Sequence, residues 1–366
     1  MIQHKDLAFM RMAYSLAEKA RGWVSPNPLV GAVVVKKGII IGWGHHEKPG
    51  FPHAEIVALE IAGKKARNST LYQTLEPCVH WGKTPPCIDR VIEARPRRVV
   101  ISAYDANPLV YKKGIRLLKN NGIDVEVGLM QETNSRLNEA YIKYITRKIP
   151  FVTIKTAVSL DGKAATQTGS SRWITSEETR KYIHLLRGEH DAVITGIQTI
   201  LHDDPLLTLR HSQWEDKKII RIVLDSRLRF PLKARILQTL DKGNIIICTS
   251  DKAPSRKADK LEKKGIKVIR FPSEDLKIPI KKVLKRLGEE KISSVLVEGG
   301  GILTTSFLQE HLADKIIVTL APSLVGGKKA PGFFQGTGVQ SIQDALRLKK
   351  SHCFQIGSDL VVEGYL

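Results

Sequence analysis

The stretch Pro-His-Ala-Glu at residues 52–55, followed by Pro-Cys at 77–78 and again at 86–87, decides how the first part of this chain folds. It supplies one imidazole, two thiols and a carboxylate two residues after the imidazole. One histidine and two cysteines can hold Zn²⁺ through three protein ligands and leave a fourth position open, as catalytic zinc sites do. We therefore predict a zinc site formed by His53, Cys78 and Cys87. Glu55 would stay off the metal and transfer protons.

Two other interpretations of these residues are possible. Cys78 and Cys87 could form a disulfide, but the first residues of the chain lack the apolar segment of a secretory signal, so we expect a reducing compartment, the cytoplasm. A closed structural zinc site could use His80 as its fourth ligand, which would leave Glu55 without a task. The open arrangement is favoured, and it is that of zinc-dependent deaminases, in which water displaces the amine of a ring carbon.

The residues around this motif alternate between strand and helix patterns. A helix is expected over 54–62, which puts His53 and Glu55 at its first turn. A second helix is expected over 87–93, so that two helix N-termini face the metal and favour thiolate over thiol. An amphipathic helix over 132–144 would close this unit. The succession predicts an α/β sandwich.

The length and hydrophobicity of the chain bound its organisation. A chain of 366 residues can form two domains with separate cores. A new strand is expected directly after residues 147–150, so we predict a first domain at 1–146 and a second at 147–366. No apolar run approaches the 18 residues of a membrane span, and we expect no membrane partner. Neither Cys248 nor Cys353 lies in a ligand pattern, and both are expected to be core or strand thiols.

The formal net charge is +21, from 58 Lys and Arg against 37 Asp and Glu, and such a charge can attract nucleic acid. The basic residues are scattered and interrupted by acids, however, and aromatic residues make up only 6% of the chain without interleaving among them. A phosphorylated small molecule or a dinucleotide also needs positive charge. We therefore expect a small-molecule substrate and no nucleic-acid partner.

The second domain carries a chemical signal at residues 295–301, Val-Leu-Val-Glu-Gly-Gly-Gly. A buried strand runs there into three glycines and a helix, the setting in which backbone N–H groups bind a phosphate. The spacing is not Gly-x-Gly-x-x-Gly, because the third glycine would fall on Thr304. By itself the turn could equally be structural.

Together the two halves resemble the bifunctional deaminase/reductase family of riboflavin biosynthesis along nearly the whole chain. The matching stretches are 26–31, 52–55, 74–78, 82–87, 159–163, 173–176, 203–208 and 297–300. The eight residues between Cys78 and Cys87 are discriminating, because deaminases of free cytidine and of nucleic-acid bases usually have Pro-Cys-x-x-Cys. This spacing argues against the competing hypothesis, a zinc-dependent deaminase of a tRNA or other nucleic-acid base with a C-terminal binding domain.

The resemblance implies two consecutive reactions. The first domain, a cytidine-deaminase-like three-layer α/β/α sandwich, would hydrolytically deaminate 2,5-diamino-6-(5-phosphoribosylamino)pyrimidin-4(3H)-one. The second, a dihydrofolate-reductase-like α/β domain, would use NADPH to reduce the ribosyl group to ribityl, giving 5-amino-6-(5-phosphoribitylamino)uracil. One Zn²⁺ per chain and NADPH are the cofactors expected, in a cytoplasmic homo-oligomer that is a dimer or a tetramer.

The resemblance also implies residue roles. The deaminase pocket would be lined by Asn27, His46, His80 and Lys83. The reductase substrate would be bound by Ser171, Arg187, Leu207, Arg210 and Glu298. The residues expected to bind NADPH are Ala157, Trp173, Thr199, Asp203, Ser226, Gly300, Gly301, Ile302, Leu303, Thr304, Thr305 and Ser306.

Several of these residues have ordinary alternatives. Arg187 and Arg210 offer the planar fork that suits a phosphate, but either could be a surface arginine. Trp173 could simply be a core residue. The chain departs from the family at Ala106, where many members have proline, and at Gln198, where they have a small residue. The first departure puts the rigidity of a pocket loop in doubt, and the second the close approach of the cofactor.

Overall fold

The computed structural model describes residues 4–171 and 173–366. The chain divides into two compact units, residues 1–148 and 149–366. The break lies two residues beyond the domain limit predicted from the sequence. Among the described residues, no helix has both the length and the apolar character needed to cross a membrane.

The first unit is a five-stranded sheet between two layers of helices. Its strands are β1 (Gly31–Lys36), β2 (Ile39–His45), β3 (Thr70–Leu75), β4 (Arg98–Ala103) and β5 (Asp124–Val127). Its helices are α1 (His4–Glu18), α2 (Ala54–Ala62), α3 (Cys87–Ala94), α4 (Lys113–Asn120), α5 (Gln131–Leu137) and α6 (Glu139–Arg147). The strand order is β2-β1-β3-β4-β5, with β3, β4 and β5 parallel and β1 antiparallel to both its neighbours.

Alternating apolar residues give this sheet two buried faces. Ala32 and Val34 of β1 pack in the core that contains α2, α3 and α4, whereas Val33 and Val35 pack in the core that contains α1. A strand exposes successive side chains on opposite faces, so both layers are needed to cover it. The predicted three-layer sandwich is confirmed for this unit.

Glycines in β2 determine where α2 lies. A Cβ on Gly44 would stand 2.6 Å from the carbonyl oxygen of Ala54, and a Cβ on Gly42 would overlap the carbonyl oxygen of Ala58. Only glycine at these positions lets the helix backbone rest directly on the strand. The first turn of α2, which carries Glu55, is therefore held at a fixed place above the sheet.

The single helix predicted over 132–144 is wrong, because the chain forms two helices, α5 and α6, that meet at Asn138. The backbone of Asn138 leaves helical geometry, with φ −108° and ψ 20°. Its side-chain oxygen accepts the N–H of Leu29 at 2.7 Å, and its amide nitrogen donates to the Leu29 carbonyl at 3.0 Å. This pairing with a residue 109 positions away explains the break.

The second unit is built on a nine-stranded sheet. Its strands are β6 (Phe151–Ser159), β7 (Ala192–Gly196), β8 (Ile220–Leu224), β9 (Ile245–Ser250), β10 (Lys267–Phe271), β11 (Ser294–Glu298), β12 (Lys315–Ala321), β13 (Lys349–Ile356) and β14 (Asp359–Tyr365). Its helices are α7 (Glu177–Glu189), α8 (Ile197–Asp203), α9 (Ser255–Glu262), α10 (Ile280–Glu289) and α11 (Gly301–Gln309). The order is β10-β9-β8-β7-β11-β6-β12-β14-β13, with β14 and β13 antiparallel.

Helices cover both faces of this sheet. One apolar core takes residues from α7, α8 and α9, and the other takes residues from α10 and α11. Cys248 is a buried core thiol, and Cys353 lies exposed on β13. Because the strands from β10 to β12 are parallel, their carboxyl ends lie along one edge, where loops can hold a ligand.

Candidate active sites

Three possible metal ligands converge in the first unit. His53 immediately precedes α2, Cys87 is the first residue of α3, and Cys78 lies in the loop after β3. The Nδ1 atom of His53 lies 2.9 Å from Cys87 Sγ and 3.6 Å from Cys78 Sγ. All three ligand atoms lie within 4.8 Å of one another. The structure therefore brings together the residues predicted to bind zinc.

The donor set fits Zn²⁺. Two thiols and one imidazole are zinc ligands in proteins, and three of them leave a position free. A hydrogen bond from the Cys87 thiol lowers the pKa of Cys78 to about 4. The same contact, together with burial, raises the pKa of Cys87. The pair alone thus shares one negative charge, and a bound cation would favour the thiolate form of both.

Glu55 lies beside this cluster in the first turn of α2 and is only 4% exposed. Burial raises the pKa of its carboxyl above the ordinary value, and the nearby His53 imidazole partly opposes that rise. A carboxyl whose neutral form is stabilised in this way can both accept and return a proton. Its position fits the proton-transfer role predicted for it.

Asn27 and His46 also lie at this cluster. The His46 ring stands 5.0 Å from the His53 ring at 78°. The Asn27 amide donates to His46 Nε2 at 3.0 Å, so His46 Nδ1 carries the proton and donates to the carbonyl of Pro52 at 3.3 Å. Burial lowers the pKa of His46, which favours this neutral form. His46 therefore fixes the peptide group that precedes the metal ligand.

The remaining two predicted pocket residues lie in the insertion between the cysteines. His80 is half-buried, and its Nδ1 has no hydrogen-bond partner among the residues that the structure describes. Lys83 is exposed at the mouth of the insertion. Lys83 is therefore open to a ligand, and His80 is not drawn into the ligand cluster as a fourth donor.

Glu76, which has no role in the sequence analysis, binds the loop after β4 and the start of α4. Its buried carboxylate accepts four backbone N–H groups at 3.0–3.3 Å, those of Asp105, Lys112, Gly114 and Ile115. A carboxylate directly before Pro-Cys, at the end of a buried strand, is the signal that could have pointed to it.

The loop that contains Ala106 is held by side chains. Asp105 Oδ1 accepts the hydroxyl of Tyr141 at 2.6 Å and the N–H of Asn107 at 2.8 Å. Asn107 Oδ1 in turn accepts the N–H of Leu109 at 3.0 Å. These bonds restrain the loop although the family's proline is absent.

In the second unit, the predicted cofactor residues meet at the carboxyl edge of the parallel strands. They follow or end four strands: Ala157 in β6, Thr199 in the helix after β7, Ser226 after β8, and Gly300–Ser306 after β11. Strands β7, β11 and β6 are direct neighbours in the sheet. This is the edge at which open α/β sheets bind ligands.

Glu298 and Arg187 form a largely buried ion pair at this edge. Arg187 Nε and Nη2 donate to the two Glu298 oxygens at 2.6 and 2.8 Å, and Nη1 donates to the Thr208 carbonyl at 2.9 Å. Despite burial, the guanidinium holds the pKa of Glu298 below its ordinary value. Because the fork of Arg187 is engaged, the residue orients Glu298, and Arg210 is the better candidate for a phosphate.

Lys155, which the sequence analysis missed, lies next to this pair. It is opposite Glu298 in the β6–β11 register, and burial lowers the pKa of its ammonium to about 8. A buried lysine with a lowered pKa beside a largely buried carboxylate is typical of functional sites. A lysine within an apolar strand pattern was the signal available in the sequence.

The glycines at the start of α11 differ in what surrounds them. A Cβ on Gly299 would stand 2.7 Å from the Leu303 side chain, and one on Gly301 would stand 2.7 Å from Gln335. At Gly300 a Cβ would meet nothing within 4 Å, and its φ of −70° is open to any residue. The backbone before this helix is thus accessible from outside.

The other predicted residues of the reductase lie in exposed or loop positions. Trp173 is 72% exposed and stacks under the Arg180 guanidinium at 4.5 Å, so it is not a core residue. Arg210 is exposed, and its backbone N–H donates to Nδ1 of the His184 ring at 3.2 Å. Of the other predicted residues, Ser171 and Asp203 are partly buried and Leu207 is buried. Gln198, at which the chain departs from the family, is exposed and lies beside Thr199.

Each of the two units matches a known protein family. The cytidine and deoxycytidylate deaminase zinc-binding region matches residues 3–103, and the RibD C-terminal domain matches residues 150–362. The riboflavin biosynthesis protein RibD of Aquifex aeolicus is 46% identical over 99% of each chain, and that of Escherichia coli is 36% identical over 97% of this chain and 98% of its own.

Solved structures give the same result. RibD of Acinetobacter baumannii (form 1) has a TM-score of 0.87 at 35% identity, over 99% of this chain and 98% of its own. A Thermotoga maritima diaminohydroxyphosphoribosylaminopyrimidine deaminase/5-amino-6-(5-phosphoribosylamino)uracil reductase has a TM-score of 0.85 at 35% identity, over 99% of each chain.

Fold and site together define a zinc-dependent deaminase joined to a reductase. The chain belongs to the RibD family and is a bifunctional deaminase/reductase of riboflavin biosynthesis. Zinc serves its deaminase domain and NADPH its reductase domain. The predicted two-domain α/β fold is confirmed, and these findings support the deaminase/reductase over the nucleic-acid deaminase.

Proposed function

We propose that residues 1–146 deaminate 2,5-diamino-6-(5-phosphoribosylamino)pyrimidin-4(3H)-one with water, releasing ammonia. Residues 147–366 then reduce the ribosyl group to ribityl with NADPH and a proton, giving 5-amino-6-(5-phosphoribitylamino)uracil. The observation that carries this proposal is the convergence of His53, Cys78 and Cys87 beside buried Glu55. The Thermotoga maritima protein described by both activity names supports the choice of substrate.

In the deaminase, His53, Cys78 and Cys87 hold zinc, which when bound polarises water toward attack on an electrophilic carbon. Glu55 accepts a proton from the attacking water and delivers one to the departing amine. His46 and Asn27 fix the backbone before His53 and form one side of the pocket. His80 and Lys83 both lie on the insertion and contact the phosphoribosyl pyrimidine.

In the reductase, the cofactor supplies the hydride, and the protein positions it against C1′ of the ribosyl group. Arg187 orients Glu298 toward the substrate, and Lys155 lies within reach of the same group. Arg210, which has no carboxylate partner among the described residues, binds the substrate phosphate together with Ser171 and Leu207. The N–H groups at Gly300 and Gly301 receive a phosphate of NADPH.

Substituting Glu55 by glutamine tests the deaminase assignment. The amide keeps the shape of the side chain but cannot accept a proton, so deamination should fall by about a thousandfold while zinc stays bound. Ammonia release and zinc content are measured on the same preparation. Glu60→Gln, on the exposed side of α2, is the matched control and should keep full activity.

Two outcomes would contradict the assignment. If Glu55→Gln loses stoichiometric zinc, Glu55 supports the metal rather than transferring the proton. If it keeps full deaminase activity, another group is the acid–base catalyst.

We further propose that the enzyme is a cytoplasmic homo-oligomer, a dimer or a tetramer, that acts on a free small molecule and not on nucleic acid. The cytoplasmic location is supported by the ligand pair itself, because Cys78 and Cys87 must stay reduced to bind a metal. Light scattering of the purified enzyme, with and without NADPH, measures the number of chains.

A further inference from the structure

Both ring nitrogens of His53 have partners of different kinds. Nδ1 faces the two sulfur atoms, at 2.9 Å from Cys87 and 3.6 Å from Cys78. Nε2 lies 3.3 Å from the hydroxyl oxygen of Thr84. A neutral histidine that binds a metal through Nδ1 must carry its proton on Nε2, and that proton needs an acceptor.

We propose that Thr84 is a positioning residue that accepts the Nε2 proton of His53, and so fixes both the tautomer and the ring orientation needed for zinc. This inference rests on the proposed zinc site and extends it to the insertion between the cysteines. Metal-binding histidines usually donate their second nitrogen to an acceptor, most often a carboxylate, a carbonyl or water. Here a side-chain hydroxyl takes that place.

The insertion holds Thr84 in place relative to both cysteines. The Thr84 carbonyl accepts the N–H of Gly82 at 3.2 Å, which closes a turn. Two prolines follow it, and then the N–H of Cys87 donates to Cys78 Sγ at 3.2 Å. The Cys78 carbonyl also accepts the N–H of Ile88 at 3.2 Å. Proline fixes its own φ and restricts the residue before it, so the backbone that carries Thr84 has few conformations.

A purely structural role for Thr84 would depend on its shape and not on its hydroxyl. Valine has nearly the same shape as threonine but no oxygen, whereas serine keeps the oxygen and loses the methyl group. Thr84→Val and Thr84→Ser therefore separate the two explanations. Thr84→Ala serves as a second variant without a hydroxyl if the valine does not fit the loop.

The experiment measures zinc affinity by competition with a chelator, on full-length protein of each variant. Thr84→Val and Thr84→Ala should bind zinc about tenfold more weakly, the lower end of the range for lost second-sphere hydrogen bonds. Thr84→Ser should stay within about threefold of the parent. The absorption bands of the Co²⁺-substituted protein should shift in the valine and alanine variants, because the His53 ring loses its orientation.

Either of two results would overturn the proposal. Thr84→Val and Thr84→Ala could bind zinc as tightly as the parent, or Thr84→Ser could weaken binding as much as they do. A parent protein that binds no stoichiometric zinc would instead refute the zinc site itself. The two failures are therefore distinguishable.

Discussion

The two candidate active sites are organised in opposite ways. In the deaminase unit the chemical groups touch one another, with an imidazole nitrogen 2.9 Å from a sulfur and a carboxylate buried beside them. In the reductase unit the ion pair of Arg187 and Glu298, with Lys155 beside it, is the preassembled group. Trp173 and Ile302 are 72% and 69% exposed, and the glycine turn is open.

The chemistry of each reaction accounts for this difference. A metal ion requires several donors within bonding distance, so the protein must bring them together before the ion arrives. A dinucleotide brings its own reactive atom, so the protein has to offer a long surface with a few fixed anchors. The deaminase should therefore be sensitive to single ligand changes, and the reductase to changes along its surface.

Among the variants that compare the two sites, Cys78→Ser should have the largest effect. A hydroxyl is a far poorer zinc ligand than a thiolate, so the affinity for zinc and the deaminase activity should both fall by at least about a hundredfold. Reduction of the deaminated substrate should persist, because its residues all belong to the second unit. Zinc content and both activities are measured in parallel, with Cys353→Ser as the control for loss of a free exposed thiol. Loss of reduction in a folded variant would contradict the separation of the sites.

A smaller effect is expected from Arg210→Ala. Removing one charged contact to the substrate phosphate should cost about 2 kcal/mol, or about a thirtyfold rise in KM of the reductase. The affinity for NADPH should not change. Steady-state kinetics of the reduction alone gives the comparison, and Arg256→Ala, an exposed arginine of α9, should behave as the parent. An unchanged KM for Arg210→Ala would assign the phosphate to another group.

Gly300→Val tests whether the open turn receives the cofactor. A Cβ there meets no protein atom within 4 Å and the backbone angles are ordinary, so stability should be retained. NADPH should bind about tenfold more weakly, a loss of about 1.4 kcal/mol, because the side chain stands where the phosphate approaches. Fluorescence titration with NADPH measures this. Gly338→Val, another glycine with open space around it, is the control, and equal affinity in both variants would make the turn merely structural.

The smallest effect concerns a polar group in the core of the deaminase unit. Gln73 is fully buried in β3, between Ala32 and Ile101, and neither of its amide atoms has a hydrogen-bond partner among the described residues. Gln73→Leu should raise the free energy of unfolding by about 1 kcal/mol, because a buried unsatisfied amide is costly. Denaturation by urea measures the change, and Gln131→Leu, at an exposed glutamine of α5, is the control. Lower stability or lost deamination would show that the amide has a role.

The sequence predicted those parts that depend on neighbouring residues. Helix α2 has the bounds expected over 54–62, because apolar spacing and the proline before His53 are local signals. The three ligands could be grouped because zinc requires a particular set of residue types. The alternation of strand and helix patterns predicted an α/β class for both units, and the particular folds were implied by the family resemblance.

Features that depend on distant partners could not be read from the sequence. The break between α5 and α6 comes from the bond of Asn138 to Leu29, 109 residues away. The role of Glu76 depends on backbone groups that lie 29 to 39 residues further along the chain. Lys155 stands beside Glu298 only because β6 and β11 become neighbours in the sheet.

The eight-residue insertion between Cys78 and Cys87 has a consequence for how such enzymes can diverge. It leaves the sheet after the carboxyl end of β3 and returns at the first residue of α3, so it lies between these two elements and lengthens neither. Going from two residues to eight between the cysteines is two doublings of loop length, about 1 kcal/mol of closure entropy. The loop can therefore lengthen at small cost to stability, and a residue that it carries, such as Thr84, can come to lie against a metal ligand.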